Sequence, residues 1–201
     1  MNKPNIFCLI HKLKTIYRYI VTSTYYKIFV KYIGEGTVIF KPNLITGLNY
    51  LSIGNNCMIY ENCRIQILDK YLNEVYNPVF TIGNETQIHQ NCHITCAGII
   101  HIGDNVIIVS NVTITDIIHP YIDINMPINK QKLEVGSVII GDQTYIYNNS
   151  VILPNVKIGK HCVIGANSLV NKDIPDYCIA VGNPAKVIRQ YDHEKSKWIN
   201  I

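Results

Sequence analysis

The sequence lacks a hydrophobic run long enough for a membrane span, which needs about 20 apolar residues. Charged residues are scarce, at 16% of 201 residues, and apolar residues make up 48%. That composition excludes a disordered tail or a coiled coil and is typical of one domain with one core. Residues 1–32 also lack the apolar stretch and small-residue cleavage site of a signal peptide, so we expect a cytoplasmic protein.

Cysteine patterns for disulfides or zinc are missing as well. The seven cysteines include no CxxC pair, and their odd number argues against a disulfide framework. Four of them share one position of the sequence repeat described below, and we predict that these are buried free thiols: Cys57, Cys63, Cys92 and Cys162.

Acidic residues are absent from residues 1–34, although this segment holds six basic residues. The rest of the chain has 12 basic and 14 acidic residues, so the net charge of +4 comes from the N-terminal segment. Apolar residues there follow helical spacing, and aromatic residues are frequent, so residues 1–32 are predicted to form a basic aromatic helical segment. It either packs on the side or end of the following domain or rests on the anionic inner face of a membrane. The rest of the chain is not basic and contains no motif known to recognise the grooves of DNA or RNA, which argues against nucleic-acid binding.

The dominant positive feature is a repeat of six residues. Every sixth residue is aliphatic in the series Ile140, Ile146, Ile152, Ile158, Ile164 and Val170. Small residues follow four positions later at Thr144, Ser150, Val156, Cys162 and Ser168. A period of six fits neither a helix nor an alternating strand, but it is typical of a β-solenoid in which each six residues form one short strand and one turn. The repeat therefore predicts an all-β solenoid of triangular coils, with about 18 residues in each coil.

Ile-Gly pairs extend this pattern upstream and mark one side of each coil. They begin at Ile33, Ile53, Ile82, Ile102, Ile140 and Ile158. Their separations exceed 18 residues strongly at two places, which predicts a short loop near residues 67–79 and a long insertion near 118–138. We expect about six coils between residues 33 and 175, roughly 30 Å tall at about 4.8 Å per layer, followed by a C-terminal extension over 176–201. Long loops on rigid scaffolds are often functional.

The stretch from Ile140 to Tyr191, which includes VGNPAKVIRQY, resembles the C-terminal signature of hexapeptide-repeat acyltransferases. The stretch IIHIGDNVIIVSNVTITDIIHP and its long loop resemble sugar O-acetyltransferases that modify O-antigen or capsular polysaccharide. The resemblance implies a left-handed parallel β-helix, acetyl-CoA as donor, a sugar or glycan acceptor, and a homotrimer with active sites between subunits. It implies no metal cofactor.

Acetyl transfer to a hydroxyl needs a base, donors for the oxyanion and a site for an anionic cofactor. His119 begins the long insertion, and imidazole accepts a proton near neutral pH. The resemblance assigns the base to His119 and the oxyanion donor to the backbone N–H of Asn148. Asp116, three positions before His119, either orients the histidine or caps the loop.

Further residues are assigned by the same resemblance. The coenzyme A groove is expected to hold Tyr145, in place of the usual Trp, with Gly165, Ala166, Asn171, Lys172, Lys186 and Arg189. The three cations suit the phosphates of the cofactor. Acceptor contacts are expected at His89, Asn111, Cys96 and Ala97, where the last two replace acidic residues of related enzymes. Asn111 is equally compatible with a role in stabilising a solenoid turn.

Three alternatives stay open at this stage. A nucleotide-sugar N-acetyltransferase or an antibiotic acetyltransferase would share the donor site. A metal protein of the γ-carbonic anhydrase kind would share the solenoid, but it needs three histidine ligands, and no histidine occurs between His119 and Glu134. A catalytically inactive scaffold would require loss of His119 or of the cofactor groove.

Overall fold

The N-terminal segment is helical, as its spacing predicts. A computed structural model describes residues 6–201, with an α-helix over Ile6–Val21, a π-helical turn over Thr22–Tyr26 and a last helical turn over Lys27–Phe29. Residues 1–5 of the predicted segment, including Lys3, lie outside the described residues. Within the described part, no helix has the length and apolar character that crossing a membrane requires.

Three sheets, here called the first, second and third faces, form the body of the protein. The first face contains Tyr32–Ile33, Leu51–Ile53, Val79–Ile82, Ile99–Ile102, Ser137–Ile140 and Val156–Ile158. The second face contains Val38–Ile39, Met58–Ile59, Gln87–Ile88, Ile107–Ile108, Tyr145–Ile146 and Val163–Ile164, and continues through Cys178–Val181, Lys186–Asp192 and Lys197–Asn200. The third face contains Leu44–Thr46, Arg64–Ile67, His93–Cys96, Thr113–Thr115, Val151–Ile152 and Leu169–Val170.

The chain visits these faces in strict rotation, so it winds through six successive coils. Strands from neighbouring coils pair in parallel, and within residues 6–201 only the two insertions and the C-terminal extension add antiparallel pairs. The Ile-Gly isoleucines form one continuous column across the first face, from Ile33 through Ile53, Ile82, Ile102 and Ile140 to Ile158. The six-residue repeat thus predicted the coils and the column of Ile-Gly pairs on one side of them, and the parallel pairing agrees with the resemblance.

The interior is built from the aliphatic positions of the repeat. Ile140, Ile146 and Ile152 are fully buried, and each lies on a different face of one coil. The four cysteines that were predicted to be buried free thiols are indeed buried and unpaired. Threonine also occupies this small position of the repeat, and there its hydroxyl bonds to the backbone of the next coil. Thr144 Oγ1 donates to Gly159 O and accepts from Cys162 N–H.

Asparagine accounts for many of the tight corners. Among the described residues, eight asparagines adopt a positive φ: Asn56, Asn62, Asn91, Asn105, Asn111, Asn149, Asn155 and Asn167. Asparagine tolerates this left-handed region better than other residues with a side chain, because its short amide can bond locally. The corners of the coil are therefore encoded by asparagine as well as by glycine.

The helical segment covers the open edge of the first coil. The Arg18 guanidinium donates to Ile39 O at 2.9 and 3.0 Å and also to Phe40 O. Thr22 Oγ1 accepts from Ile39 N–H at 2.9 Å. These bonds satisfy backbone groups that an edge strand would otherwise leave unpaired.

Both predicted insertions leave the coil at the same edge, between the third and first faces. The first, predicted as a short loop, contains a hairpin of Lys70–Tyr71 with Glu74–Val75. The second, here called the arm, covers residues 117–135. At its base Ile117–Ile118 pairs with Glu134–Val135, and further out it contains a 3-10 turn over Ile128–Lys130.

Candidate active site

His119 lies on the arm, directly after the antiparallel base strand Ile117–Ile118. Its side chain is exposed, and it is the first residue beyond the paired base. Pro120 follows and restricts the backbone of His119 to extended conformations. The imidazole therefore stands at the surface on a segment that is anchored at both ends.

Asp116 anchors the base of the arm. Its carboxylate is fully buried and accepts the backbone N–H of Ala97 at one oxygen and that of Gly98 at the other, both at 2.8 Å. Its own backbone O accepts Gly136 N–H, the residue at which the arm returns to the coil. Burial raises the pKa of the Asp116 carboxyl, against the lowering effect of these hydrogen bonds. Of the two predicted roles, these contacts correspond to capping the loop and not to direct contact with His119.

The two insertions pack against each other beside His119. The rings of Tyr71 and His119 lie 5.7 Å apart in an edge-to-face arrangement, and the Tyr71 hydroxyl donates to Asn129 O at 2.7 Å. Lys132 Nζ lies 2.8 Å from Glu74 Oε2. Sequence reasoning missed Tyr71, because nothing in the six-residue repeat pairs one insertion with the other.

Asn148 follows the second-face strand Tyr145–Ile146, at the edge between the second and third faces. Within the described residues, nothing accepts a hydrogen bond from its backbone N–H. The same holds for Ser110 and Ala166, which occupy the equivalent place in the coils before and after. Together these three residues present a column of unpaired N–H donors along one edge.

His119 and Asn148 therefore stand at different edges of the coil. The third face separates these edges, and strand Thr113–Thr115 with its flanking residues corresponds to about 15 Å at roughly 3.3 Å per residue. A hydroxyl oxygen, a base and an oxyanion donor must all lie within about 3 Å contacts during acyl transfer. One chain does not bring these two groups together.

The residues assigned to the coenzyme A groove are spread over the last coils and the extension. Tyr145 is half-buried and packs against the Tyr147 ring, with centroids 4.7 Å apart. A Cβ on Gly165 would lie 2.6 Å from Val181 Cγ1, so glycine is needed there for packing within the chain. Ala166 is exposed beside it.

The polar members of that set are all exposed. Asn171 and Lys172 lie at the edge between the third and first faces, after the strand Leu169–Val170. Lys186 and Arg189 lie on the first antiparallel strand of the extension, where Arg189 Nε donates to Asn200 Oδ1 at 3.0 Å. These cations are accessible to an anionic ligand.

The residues assigned to the acceptor fall into different environments. His89 is half-buried against the Tyr60 ring at 4.9 Å, and burial lowers its pKa. Asn111 adopts a positive φ and donates to Asn149, which donates in turn to Asn167. Its amide thus belongs to a ladder of turn asparagines, the second of its two predicted roles.

Cys96 and Ala97 require a correction. Their side chains are 0% and 1% exposed, so they cannot touch an acceptor at the surface of this chain. In the strand His93–Cys96, which pairs Cys96 with Ile67, alternation turns Ile94 and Cys96 inward. Ala97 lies in the bend that follows, where its N–H donates to the buried Asp116 carboxylate. Burial, together with the nearby Asp116, raises the pKa of the Cys96 thiol, which keeps it protonated and unreactive.

Comparison with known proteins agrees with the repeat. Residues 137–172 match the bacterial transferase hexapeptide family, described by six repeats. These residues contain the uninterrupted part of the six-residue series. This part of the chain is therefore similar to hexapeptide-repeat transferases. Among the described residues, the hexapeptide-repeat coil holds no group of three or more His, Cys, Asp or Glu side chains that could bind a metal.

Curated relatives of this chain carry acetyltransferase names. A protein of Escherichia coli K12 named as the lipopolysaccharide biosynthesis O-acetyl transferase WbbJ is 36% identical over 113 residues, which are 53% of this chain and 58% of that protein. A protein of Staphylococcus aureus MRSA252 named as the acetyltransferase SAR2635 is 48% identical over 61 residues, 30% of this chain and 31% of that protein. The matches thus span less than two thirds of these relatives.

Solved structures share the hexapeptide-repeat fold. A mutant of AntD, an N-acyltransferase from Bacillus cereus solved with dTDP and coenzyme A, has a TM-score of 0.67 at 24% identity and covers 86% of this chain and 90% of its own. The hexapeptide-repeat acetyltransferase VCA0836 from Vibrio cholerae, solved with acetyl coenzyme A, has a TM-score of 0.58 at 20% identity, covering 89% and 86%. At these identities the likeness concerns the fold.

Proposed function

We propose that this chain is an acetyl-CoA-dependent O-acetyltransferase that acetylates a hydroxyl of a cell-surface polysaccharide sugar or its precursor. The observation that carries this proposal is the exposed His119 on an anchored arm, combined with a column of unpaired N–H donors along another edge of the coils. The similar protein WbbJ is named as a lipopolysaccharide biosynthesis O-acetyl transferase, which supports a cell-surface sugar as the acceptor. Residues 33–175 would form the acyltransferase domain, which we propose is left-handed, flanked by segments 1–32 and 176–201.

In this mechanism the neutral His119 imidazole takes the proton of the sugar hydroxyl as its oxygen attacks the thioester carbonyl. The tetrahedral oxyanion accepts a hydrogen bond from Asn148 N–H, whose direction is fixed by the coil before reaction begins. Collapse of the intermediate breaks the carbon–sulfur bond. The departing thiolate of coenzyme A recovers the proton from the imidazolium, and the acetyl ester leaves with the sugar.

The donor would lie along the edge that carries the unpaired N–H groups of Asn148 and Ala166. Amide groups of an extended pantetheine arm need donors at regular spacing, and the coil repeats such donors about every 4.8 Å. Lys186 and Arg189 are accessible for the phosphates, where charge-assisted bonds are strong.

We further propose that the active protein is a homotrimer in which the arm of one subunit reaches the donor edge of the next. The separation of His119 from Asn148 within one chain supports this arrangement. The outer part of the arm also exposes large apolar side chains, with Ile124 91%, Ile122 78% and Tyr121 74% exposed. Exposed apolar clusters of this kind commonly mark interfaces.

The activity is tested by thiol release from acetyl-CoA in the presence of a panel of sugars and glycans. We expect sugar-dependent release by the wild type and a loss of at least 100-fold in kcat for His119→Ala, since general base catalysis contributes about 10²–10⁴. His161→Ala is the matched control, because His161 is also exposed but lies at another edge. Equal rates for His119→Ala and wild type would contradict the assignment of the base.

The shared site is tested by mixing subunits. His119→Ala lacks the base, and Ala166→Trp obstructs the donor edge, so each variant alone should be inactive. Co-expressed subunits should regain roughly a quarter of the sites, because some neighbours then combine an intact arm with an intact donor edge. If mixed assemblies stayed inactive while each variant folded, the site would lie within one chain.

N-acylation of a nucleotide sugar is the second candidate, and the shared fold of AntD favours it. An ester product is cleaved by mild alkali, whereas an amide product survives. If the product resists alkali and forms only with an amino sugar, the acceptor group is an amine and not a hydroxyl.

A further inference from the structure

The N-terminal helix Ile6–Val21 packs with its polar side inward. The residues that meet the coil recur at helical spacing, namely His11 against Phe40, Lys14 with Glu61, and Arg18 and Thr22 on the backbone of Ile39. An amphipathic helix on a globular domain normally does the opposite and buries its apolar stripe.

The apolar stripe of this helix faces away from the protein. Leu13 and Ile16 are 58% and 56% exposed, and they lie about half a turn from Arg18 and Thr22 at 3.6 residues per turn. The full stripe, here called the outer stripe, consists of Leu9, Ile10, Leu13, Ile16, Tyr17 and Ile20. Exposed apolar residues continue beyond it at Tyr25, Ile28, Phe29 and Tyr32.

The charges around the outer stripe are all of one sign. Lys12, Lys27 and Lys31 are exposed, and no acidic residue occurs before Glu35. Two copies of this surface would bring their lysines together, which disfavours self-association through it. An apolar stripe flanked by lysines is the pattern of helices that lie in the interface of an anionic bilayer. With 16 residues the helix is about 24 Å long, and it fits flat on such a surface.

We propose that the outer stripe and its lysines bind an anionic membrane surface, with the helix parallel to the bilayer and the coil pointing away from it. The polar side of the helix is already occupied by the first coil, so membrane contact requires no rearrangement of the protein. This inference is independent of the proposed acetyl transfer, because none of the residues involved belongs to the candidate active site.

The proposal is tested by sedimenting the full-length protein with vesicles of phosphatidylcholine alone or mixed with phosphatidylglycerol. We expect binding only to the mixed vesicles, and weaker binding as salt rises, because screening reduces the attraction. The double variant Leu13→Glu/Ile16→Glu should bind at least tenfold more weakly. Lys12→Ser/Lys27→Ser should lose roughly fivefold per lysine, as expected for basic residues near an anionic leaflet.

Ile201→Glu is the matched control, because Ile201 is 71% exposed and lies at the other end of the chain. Unchanged melting temperatures would show that the stripe variants fold, as expected for Leu13 and Ile16, which are both more than half exposed. The proposal fails if the double variant binds mixed vesicles like the wild type, or if the wild type binds no vesicles. A change of molar mass in the double variant would instead assign the stripe to a contact between copies.

Discussion

Replacement of Asp116 offers the sharpest test of how the arm is held. Asp116→Ala would leave two backbone N–H groups, those of Ala97 and Gly98, without their acceptor. An orphaned buried donor costs about 1–3 kcal/mol, so the expected loss of unfolding free energy is about 2–6 kcal/mol. Asp116→Asn keeps one acceptor oxygen but turns an NH₂ group toward the other donor, so about 1–3 kcal/mol is expected.

Urea denaturation followed by circular dichroism measures both losses. Asp142→Asn is the matched control, since the Asp142 carboxylate also accepts a backbone N–H from the preceding coil, that of Asp104 at 2.8 Å, but it is exposed. Its single acceptor survives the change to Asn, and we expect at most about 0.5 kcal/mol there. Equal midpoints for Asp116→Asn and Asp142→Asn would refute the reasoning. Full stability with lost activity would instead indicate that Asp116 orients His119.

The pH dependence has a definite sign. Burial raises the pKa of Asp116 in the folded state above that of the unfolded chain, so the folded protein binds this proton more readily. The stabilising contribution of Asp116 is therefore full below the unfolded pKa of about 3.9 and is lost as pH rises through the folded pKa. The advantage of the wild type over Asp116→Asn should accordingly be larger near pH 4 than near pH 8.

Three further predictions concern the core, the insertions and His89. Ile140→Ala should cost about 2–5 kcal/mol in urea denaturation, because the side chain is fully buried; a loss below 1 kcal/mol would contradict the close-packed interior. Tyr71→Ala should lower kcat of acetyl transfer more than tenfold with little change in KM for acetyl-CoA, and Tyr71→Phe should lie between; an unchanged kcat would show that the contact with His119 is idle. Burial lowers the pKa of His89, so its contribution to stability is present above about 6.5 and is lost as pH falls through the folded pKa; the difference between wild type and His89→Gln should shrink from pH 7.5 to 5.5, and a constant difference would refute this.

The coil could be predicted from sequence because its signal is local and repeated. Each coil shows an aliphatic residue at the same interval, and pairing of one isoleucine with the next in the column follows by counting. The number of residues from one isoleucine of the column to the next therefore determines how strands of neighbouring coils are aligned. The insertions were located for the same reason, as departures from it.

The candidate site could be predicted only in part. His119 follows from the start of an insertion, but the contact of Tyr71 with His119 joins residues 48 positions apart with no shared period. Cys96 was wrongly assigned to the acceptor because the repeat does not reveal how long each strand is. The strand His93–Cys96 has four residues, so a second side chain of this strand, that of Cys96, points into the interior. The inward polar side of the N-terminal helix also escaped prediction, since helical spacing shows two sides but not which one packs.

Because the coils stack in chain order, the residue number of a column isoleucine indicates its position along the axis of the stack. From Ile33 to Ile158 each step along the isoleucine column is one layer of about 4.8 Å, whatever the chain does between layers. Removal of residues 82–101, one full circuit without an insertion, should lower the arm by one layer and leave every later residue on its own face. Removal of only one six-residue side would instead move the arm to another edge of the coil. Natural variation in chain length within this fold is thus expected to come in whole circuits or in loops at the edges.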